Sequence, residues 1–131
     1  MKVLIVVLVV DDDPIYVKVY EKKFTGSGFE VKVARDGEEG FKMALEEHPD
    51  LVLLDLMMPK MDGMTMMKKL RQDEWGKSVP IIVLTNLEAN DKILQGVVES
   101  QPAYYIMKAN STPEDVLEKA IQILKPPKLN N

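Results

Sequence analysis

Several apolar runs in this sequence end in side chains that could act together chemically. An acidic triplet, Asp11–Asp13, follows the first run, Asp55 follows another, and Thr85 and Lys108 follow two later ones. Carboxylates about 4 Å apart repel by roughly 4 kcal/mol at an effective dielectric constant near 20, so a cluster of them requires a cation. Oxygen ligands without His or Cys suit Mg²⁺. A remaining carboxylate could then attack phosphorus, while the metal, the lysine and the hydroxyl stabilise charge on the transferring group.

These side chains can meet only if the apolar runs are parallel strands of one sheet. Apolar runs closed by polar residues are typical of buried strands, and segments with helical spacing separate them. The pattern predicts a single α/β domain, with a doubly wound parallel sheet of five strands covered on both faces by five helices. The carboxyl ends of the strands then share one edge, where ligand sites form in such folds. The predicted strands are Val3–Val10, Phe29–Ala34, Leu51–Leu54, Pro80–Leu84 and Ala103–Met107.

Composition and charge exclude several classes of protein. The 131 residues include no Cys, which excludes disulfide frameworks, thiolate zinc sites, iron–sulfur clusters and cysteine nucleophiles. The net charge is −4 and no basic stripe is present, which argues against direct nucleic-acid binding. The run Val3–Val10 is far shorter than the roughly 20 residues that span a bilayer. We therefore expect no nucleic acid and no membrane among the partners.

Four motifs contain these strand ends: VVDDDP at Val9–Pro14, LVLLDLMMPKMDG at Leu51–Gly63, VLTN at Val83–Asn86 and YIMK at Tyr105–Lys108. They resemble those of the receiver domain of two-component response regulators, and the resemblance extends from end to end of the chain. It implies a flavodoxin-like strand order of 2-1-3-4-5. The helical pattern ends before Pro126-Pro127, so we expect one receiver domain over residues 1–125 and a C-terminal tail over 126–131.

The resemblance implies a magnesium site built from four positions of this chain. Asp12 corresponds to a direct Mg²⁺ ligand and Asp11 to a ligand that acts through water. Asp55 and the backbone carbonyl of Met57 would complete the protein's share of the metal shell. Mg²⁺ is therefore the expected cofactor.

The resemblance also implies how the phosphoryl group is received and sensed. Asp55 corresponds to the acceptor of a phosphoryl group from a histidine kinase or a histidine phosphotransfer protein, and Thr85 and Lys108 would hold the phosphoryl oxygens. Tyr105 corresponds to the aromatic residue that turns inward as Thr85 moves. We expect a stand-alone cytoplasmic receiver, a monomer or weak dimer, that signals to a downstream protein by a conformational switch. Such a domain is not an enzyme, because it catalyses only its own phosphorylation and dephosphorylation.

Some positions depart from the family's pattern. Ala109 stands where the family commonly has a proline, and Asn86 is bulkier than the residue often found there. Met57 and Leu87 occupy positions that influence autodephosphorylation in the family, and neither side chain can orient an attacking water. The hypothesis that follows is a long-lived phosphoryl-aspartate.

Two alternative functions stay open at this point. The chain could be a pseudo-receiver whose site is inert and which serves as a binding module. It could instead be a Mg²⁺-dependent phosphohydrolase that forms an aspartyl phosphate at Asp55. The second alternative requires a substrate pocket and a further acid or base, and the sequence indicates neither clearly.

Overall fold

Over residues 4–124, five strands alternate with five helices, as the sequence predicts. The computed structural model describes residues 4–124. A 3₁₀ turn, Lys108–Asn110, separates the last strand from the last helix, and the predicted tail at 126–131 lies outside the described residues. The strands are β1 (Val6–Val10), β2 (Glu30–Ala34), β3 (Leu51–Leu54), β4 (Ile81–Thr85) and β5 (Tyr104–Met107). The helices are α1 (Pro14–Gly26), α2 (Gly37–Glu47), α3 (Gly63–Arg71), α4 (Asp91–Ser100) and α5 (Pro113–Leu124).

The sheet confirms the predicted architecture. Its strand order is β2-β1-β3-β4-β5, and all four pairings are parallel. Each connection between parallel strands must return the chain to the same end of the sheet, and a helix provides that crossover. Over the residues that the structure describes, none of the helices combines the length and apolar character needed to cross a membrane.

The first strand is shorter than the apolar run that predicts it. β1 begins at Val6, whereas the prediction placed the strand at Val3–Val10, and Leu4 and Ile5 are exposed. Only from Val7 onward does β1 have a neighbour on both sides, because its pairing with β3 starts there. Leu4 and Ile5 therefore gain little burial from joining the sheet.

Alternating side chains of the strands divide the core into two clusters, one on each face of the sheet. Leu8 and Val10 of β1 belong to the cluster beneath α2 and α3, and Val7 and Val9 belong to the cluster beneath α1 and α5. This division follows from the two-residue period of a strand. The helices contribute Ala44, Met66, Met67 and Leu70 to the first cluster and Tyr20, Phe24, Val116, Leu117 and Ala120 to the second.

Helix α4 is attached to the body of the protein mainly through small residues. Its buried positions are Gly96 and Ser100, while Leu94 and Val98 are 49% and 72% exposed. A Cβ atom on Gly96 would lie 3.0 Å from the sulfur of Met64, so the helix packs closely at that point. Leu94 and Val98 therefore lie on the outer face of the helix.

The side chain of Arg71 ties the C-terminal end of α4 to α3 and to the segment before β4. Its guanidinium donates to the carbonyls of Ser100 and Gln101 at 2.7 and 3.2 Å. It also donates to the carbonyls of Gly76 and Val79 at 2.7 and 2.8 Å. Because a planar guanidinium has five donors in a fixed arrangement, one side chain can satisfy carbonyls from two segments at once.

Candidate functional site

The carboxyl ends of four strands bring the predicted site residues to one edge of the sheet. The backbone N–H of Asp55, just after β3, donates to the carbonyl of Val10 at the end of β1 at 3.0 Å. Asp11 is the next residue after Val10. On the other side, Thr85 is the last residue of β4 and Lys108 follows β5. Residues distant in sequence therefore become neighbours because the strands are parallel and in register.

Three carboxylates form a cluster at this edge. One oxygen of each of Asp11, Asp12 and Asp55 lies within 4.8 Å of the others. Asp11 and Asp55 are buried, with 4% and 6% of their surface exposed, whereas Asp12 is exposed. Within residues 4–124, the carboxylate of Asp12 takes part in no hydrogen bond or ion pair. The cluster therefore combines two shielded acids with one that faces solvent.

The ammonium group of Lys108 lies between the two buried acids. Its Nζ atom is 2.8 Å from Asp11 Oδ2 and 3.3 Å from Asp55 Oδ2, and only 7% of the residue is exposed. A buried charge is tolerated when it is paired and hydrogen-bonded. Lys108 thus compensates part of the negative charge that the strand ends bring together.

Burial and ion pairing act in opposite directions on the pKa values of this group of residues. Burial raises the pKa of Asp11 above its usual value, and the hydrogen bonds from Lys108 and the Asp13 N–H only partly oppose that shift. Burial also lowers the pKa of Lys108, but its hydrogen bonds to Asp11 and Asp55 and their charges outweigh this, so the net pKa is raised. Lys108 is therefore cationic at neutral pH.

The donor set of the cluster fits a hard divalent cation. All three side chains offer carboxylate oxygens, and Mg²⁺ binds one or two carboxylates while it keeps water or phosphate oxygens in its other positions. Among the residues that the structure describes, the exposed carboxylate of Asp12 has no partner to give up, so it can bind a cation without losing a contact with them. The acidic cluster could therefore hold a metal ion.

The hydroxyl groups of Thr85 and Tyr105 both form a hydrogen bond with the backbone of Leu87, in the loop after β4. Thr85 is fully buried, and its Oγ1 accepts a hydrogen bond from the N–H of Leu87 at 3.3 Å. The phenol of half-buried Tyr105 donates to the carbonyl of Leu87 at 2.5 Å. A movement of Thr85 would therefore act on the loop that holds Tyr105.

Met57 contacts the site through its backbone. Its N–H donates to Asp55 Oδ1 at 3.2 Å, and its side chain is 56% exposed. The loop that contains Met57 turns tightly, since a Cβ atom on Gly63 would lie 2.1 Å from the carbonyl oxygen of Asp55. Only a glycine at that position lets α3 start so close to the acid.

Comparison with known proteins decides which family has this arrangement. The family profile described as "Response regulator receiver domain" matches residues 7–122. The chain belongs to this receiver family. A receiver domain protein (CheY-like) from Methanospirillum hungatei superposes with a TM-score of 0.85 at 27% identity, covering 93% of this receiver and 94% of that chain.

Two further relatives show how the receiver compares with longer proteins and with complexes. Response regulator PleD of Caulobacter vibrioides is 38% identical over 102 residues, which are 78% of this chain and 22% of PleD. The receiver therefore spans about a fifth of the length of that relative. CheY in the CheX–CheY–BeF₃–Mg complex from Borrelia burgdorferi has a TM-score of 0.80 at 28% identity, covering 91% of this chain and 88% of that one.

Two contacts in this receiver were not predicted from the sequence. The ring of Tyr16, in the first turn of α1, lies beneath the Lys108 ammonium, with 4.0 Å between Nζ and the ring centroid. The side chain of Asn86 accepts a hydrogen bond from the N–H of Ala109 at 3.1 Å. The second contact joins two positions that depart from the family's pattern, and a proline in place of Ala109 would have no N–H to donate. No spacing rule in the sequence indicates either contact.

Proposed function

We propose that this receiver accepts a phosphoryl group on Asp55 in a Mg²⁺-dependent reaction. The observation that carries the proposal is the position of Asp55, which is buried beside Asp11 and within 3.3 Å of the Lys108 ammonium. A carboxylate oxygen of Asp55 would attack the phosphorus of a phosphohistidine, and the bond from phosphorus to the imidazole nitrogen would break. The donor is a histidine kinase or a phosphotransfer protein, and the reaction takes place in the cytoplasm.

The remaining site residues would divide the charge of the transferred group between them. Asp11, Asp12, Asp55 and the carbonyl of Met57 would hold Mg²⁺, which supplies positive charge to the phosphoryl oxygens. The ammonium of Lys108 already lies against Asp55 and would contact a second phosphoryl oxygen. In support, the CheY of Borrelia burgdorferi, which this chain resembles, is described in a complex with BeF₃ and Mg²⁺.

Signalling would follow from the hydroxyl of Thr85. A phosphoryl oxygen that attracts this hydroxyl would weaken its hydrogen bond with the N–H of Leu87, to which Tyr105 is also connected. The change would reach α4, which follows this loop and carries the exposed Leu94 and Val98. A ligand shifts a conformational equilibrium only through contacts that differ between the two states, and the phosphoryl group supplies such contacts here. A downstream protein would bind the α4-β5-α5 surface in one of the two states.

Intact mass spectrometry after incubation with acetyl phosphate tests the proposal. The parent should gain one phosphoryl group when Mg²⁺ is present and none when EDTA replaces it. Asp55→Asn should gain none, while Asp36→Asn should react like the parent, because Asp36 caps α2 and is not one of the three clustered carboxylates, and Asn also caps helices well. A parent that stays unmodified would favour an inert binding module. Sustained hydrolysis of small phosphate esters would favour a phosphohydrolase.

A further inference from the structure

The ring of Tyr16 is a third contact of the Lys108 ammonium, beside the two carboxylates. The ammonium nitrogen is 4.0 Å from the centre of the Tyr16 ring, in addition to its contacts with Asp11 at 2.8 Å and Asp55 at 3.3 Å. We propose that Tyr16 is a positioning residue that holds the Lys108 ammonium against Asp55. The proposal rests on the function proposed above for Lys108 and Asp55, although the contact itself can be tested without any phosphoryl transfer.

The start of α1 fixes the ring of Tyr16 in this place. The helix begins at Pro14, and its N-cap Asp13 accepts a hydrogen bond from the N–H of Ile15 at 2.9 Å. One turn further along, the ring of Tyr20 stacks on that of Tyr16, with 6.3 Å between centroids and 15° between planes. Tyr20 is buried, so it provides a rigid support for its neighbour. The helix, its cap and the stacked ring together leave the Tyr16 ring little freedom to move away from Lys108.

The aromatic face of Tyr16 attracts the Lys108 ammonium whether or not a metal ion also occupies the site. A cation near an aromatic face is attracted by the ring's quadrupole, most strongly when water is excluded, as it is around buried Lys108. Asp11 and Asp55 belong to the acidic cluster that could bind a metal ion, so they can be shared between that ion and Lys108. The ring of Tyr16 is neutral and carries no carboxylate, so a metal ion does not compete with Lys108 for it. Its contact with Lys108 can therefore persist while the carboxylates change partners.

Nuclear magnetic resonance of the metal-free protein tests the contact directly. A methylene group next to an ammonium that lies over an aromatic face is shifted upfield by the ring current. With lysine labelled in ¹³C, the Hε protons of Lys108 should lie upfield of those of exposed lysines in the parent and in Tyr16→Phe, which keeps the ring. In Tyr16→Leu they should move to the ordinary position. An Hε signal that is unchanged by Tyr16→Leu would overturn the proposal.

The rate of phosphorylation by acetyl phosphate in Mg²⁺ tests whether the contact matters for the site. Loss of a cation–π contact corresponds to a change of about 2- to 30-fold, so Tyr16→Leu should react slower by that factor and Tyr16→Phe within about twofold of the parent. Phe41→Leu is the matched control, because it removes a ring beneath another lysine, Lys69, whose Nζ is 5.4 Å from that ring's centroid. It should leave the rate unchanged.

Two outcomes of this experiment separate the positioning role from a structural one. If Tyr16→Phe is as slow as Tyr16→Leu, the aromatic face is not the feature that matters, and the proposal is overturned. If the parent itself gains no phosphoryl group, the proposed function fails, while the Lys108 Hε signal still decides whether Tyr16 holds the ammonium.

Discussion

Replacing Lys108 by methionine removes the ammonium group between Asp11 and Asp55 but keeps a side chain of similar length. At an effective dielectric constant near 20, a unit charge 2.8 Å from another interacts by about 6 kcal/mol, and at 3.3 Å by about 5 kcal/mol. The cost of burying the ammonium offsets much of this attraction. Breaking a buried ion pair by removing one partner typically costs 3–5 kcal/mol. We therefore expect Lys108→Met to lose about 3–5 kcal/mol of unfolding free energy without metal at neutral pH.

Magnesium should restore part of this loss. Lys108 and a divalent cation draw on the same carboxylates, so Lys108→Met should bind Mg²⁺ more tightly than the parent does. A ligand that binds only the folded state adds about 2.7 kcal/mol of stability at 100 times its dissociation constant. At equal Mg²⁺ concentration, the gain in unfolding free energy should therefore be larger in Lys108→Met than in the parent.

The loss should also depend on pH, with a sign that follows from Asp11. Without Lys108 the pKa of buried Asp11 rises further above its value in the unfolded chain, so the folded state takes up a proton more readily. The unfolding free energy of Lys108→Met, relative to that of the parent, should therefore increase as the pH falls towards the range in which carboxyl groups titrate. The deficit should be smaller at about pH 5 than at about pH 8.

Urea denaturation with and without Mg²⁺, at about pH 5 and at about pH 8, measures all three effects. Lys23→Met is the matched control, because Lys23 forms an ion pair with Glu114 at the surface. Exposed pairs contribute about 0–1 kcal/mol, so this variant should differ little from the parent and should respond normally to Mg²⁺. Equal stability of Lys108→Met and the parent in EDTA, or equal gains from Mg²⁺, would refute the assignment of Lys108 as the counterion of the two buried acids.

Three further substitutions test contacts outside the acidic cluster. Asn86→Ala should cost about 1 kcal/mol and speed amide exchange of Ala109, measured by hydrogen exchange, because its side chain accepts that N–H. Arg71→Lys should lower the unfolding free energy by about 2–3 kcal/mol in urea denaturation, since an ammonium cannot reproduce a guanidinium that donates to four carbonyls. Burial raises the pKa of Tyr20 to about 12, so the parent should lose about 2 kcal/mol more stability than Tyr20→Phe as the pH rises from about 10 to about 12, because the unfolded chain loses that proton first. An equal loss of stability at alkaline pH in the parent and in Tyr20→Phe would contradict this prediction.

The sequence predicted the fold and the main site residues because one physical rule connects them. Apolar runs that end abruptly in polar side chains indicate buried parallel strands, and parallel strands place their carboxyl ends together. Asp11, Asp55, Thr85 and Lys108 each stand at or just after such an end, and the structure brings them to one edge. Their roles in phosphoryl transfer stay predictions, since these come from the family resemblance.

The sequence patterns were less successful at positions where burial or strand formation depends on how many other segments pack alongside. Helical spacing puts Val19 of α1 on the side of Tyr16, Tyr20 and Phe24, yet Val19 is 40% exposed. Spacing shows which residues share a helix face, but it does not show how wide a strip of that face the rest of the protein covers. The start of β1 was misplaced for a related reason, since an apolar residue forms sheet only where partner strands extend far enough.

Differences in burial explain why the three carboxylates of the site do not behave as one group. Asp12 is exposed and is solvated by water, so it needs no protein cation. Asp11 and Asp55 are shielded from water, and the ammonium of Lys108 lies between them as their counterion. A metal ion that binds all three must therefore meet one carboxylate that is already accessible and two that are already paired. The affinity of the cluster for a cation consequently depends on how firmly Lys108 is held. The contact between Tyr16 and Lys108 therefore affects the whole site.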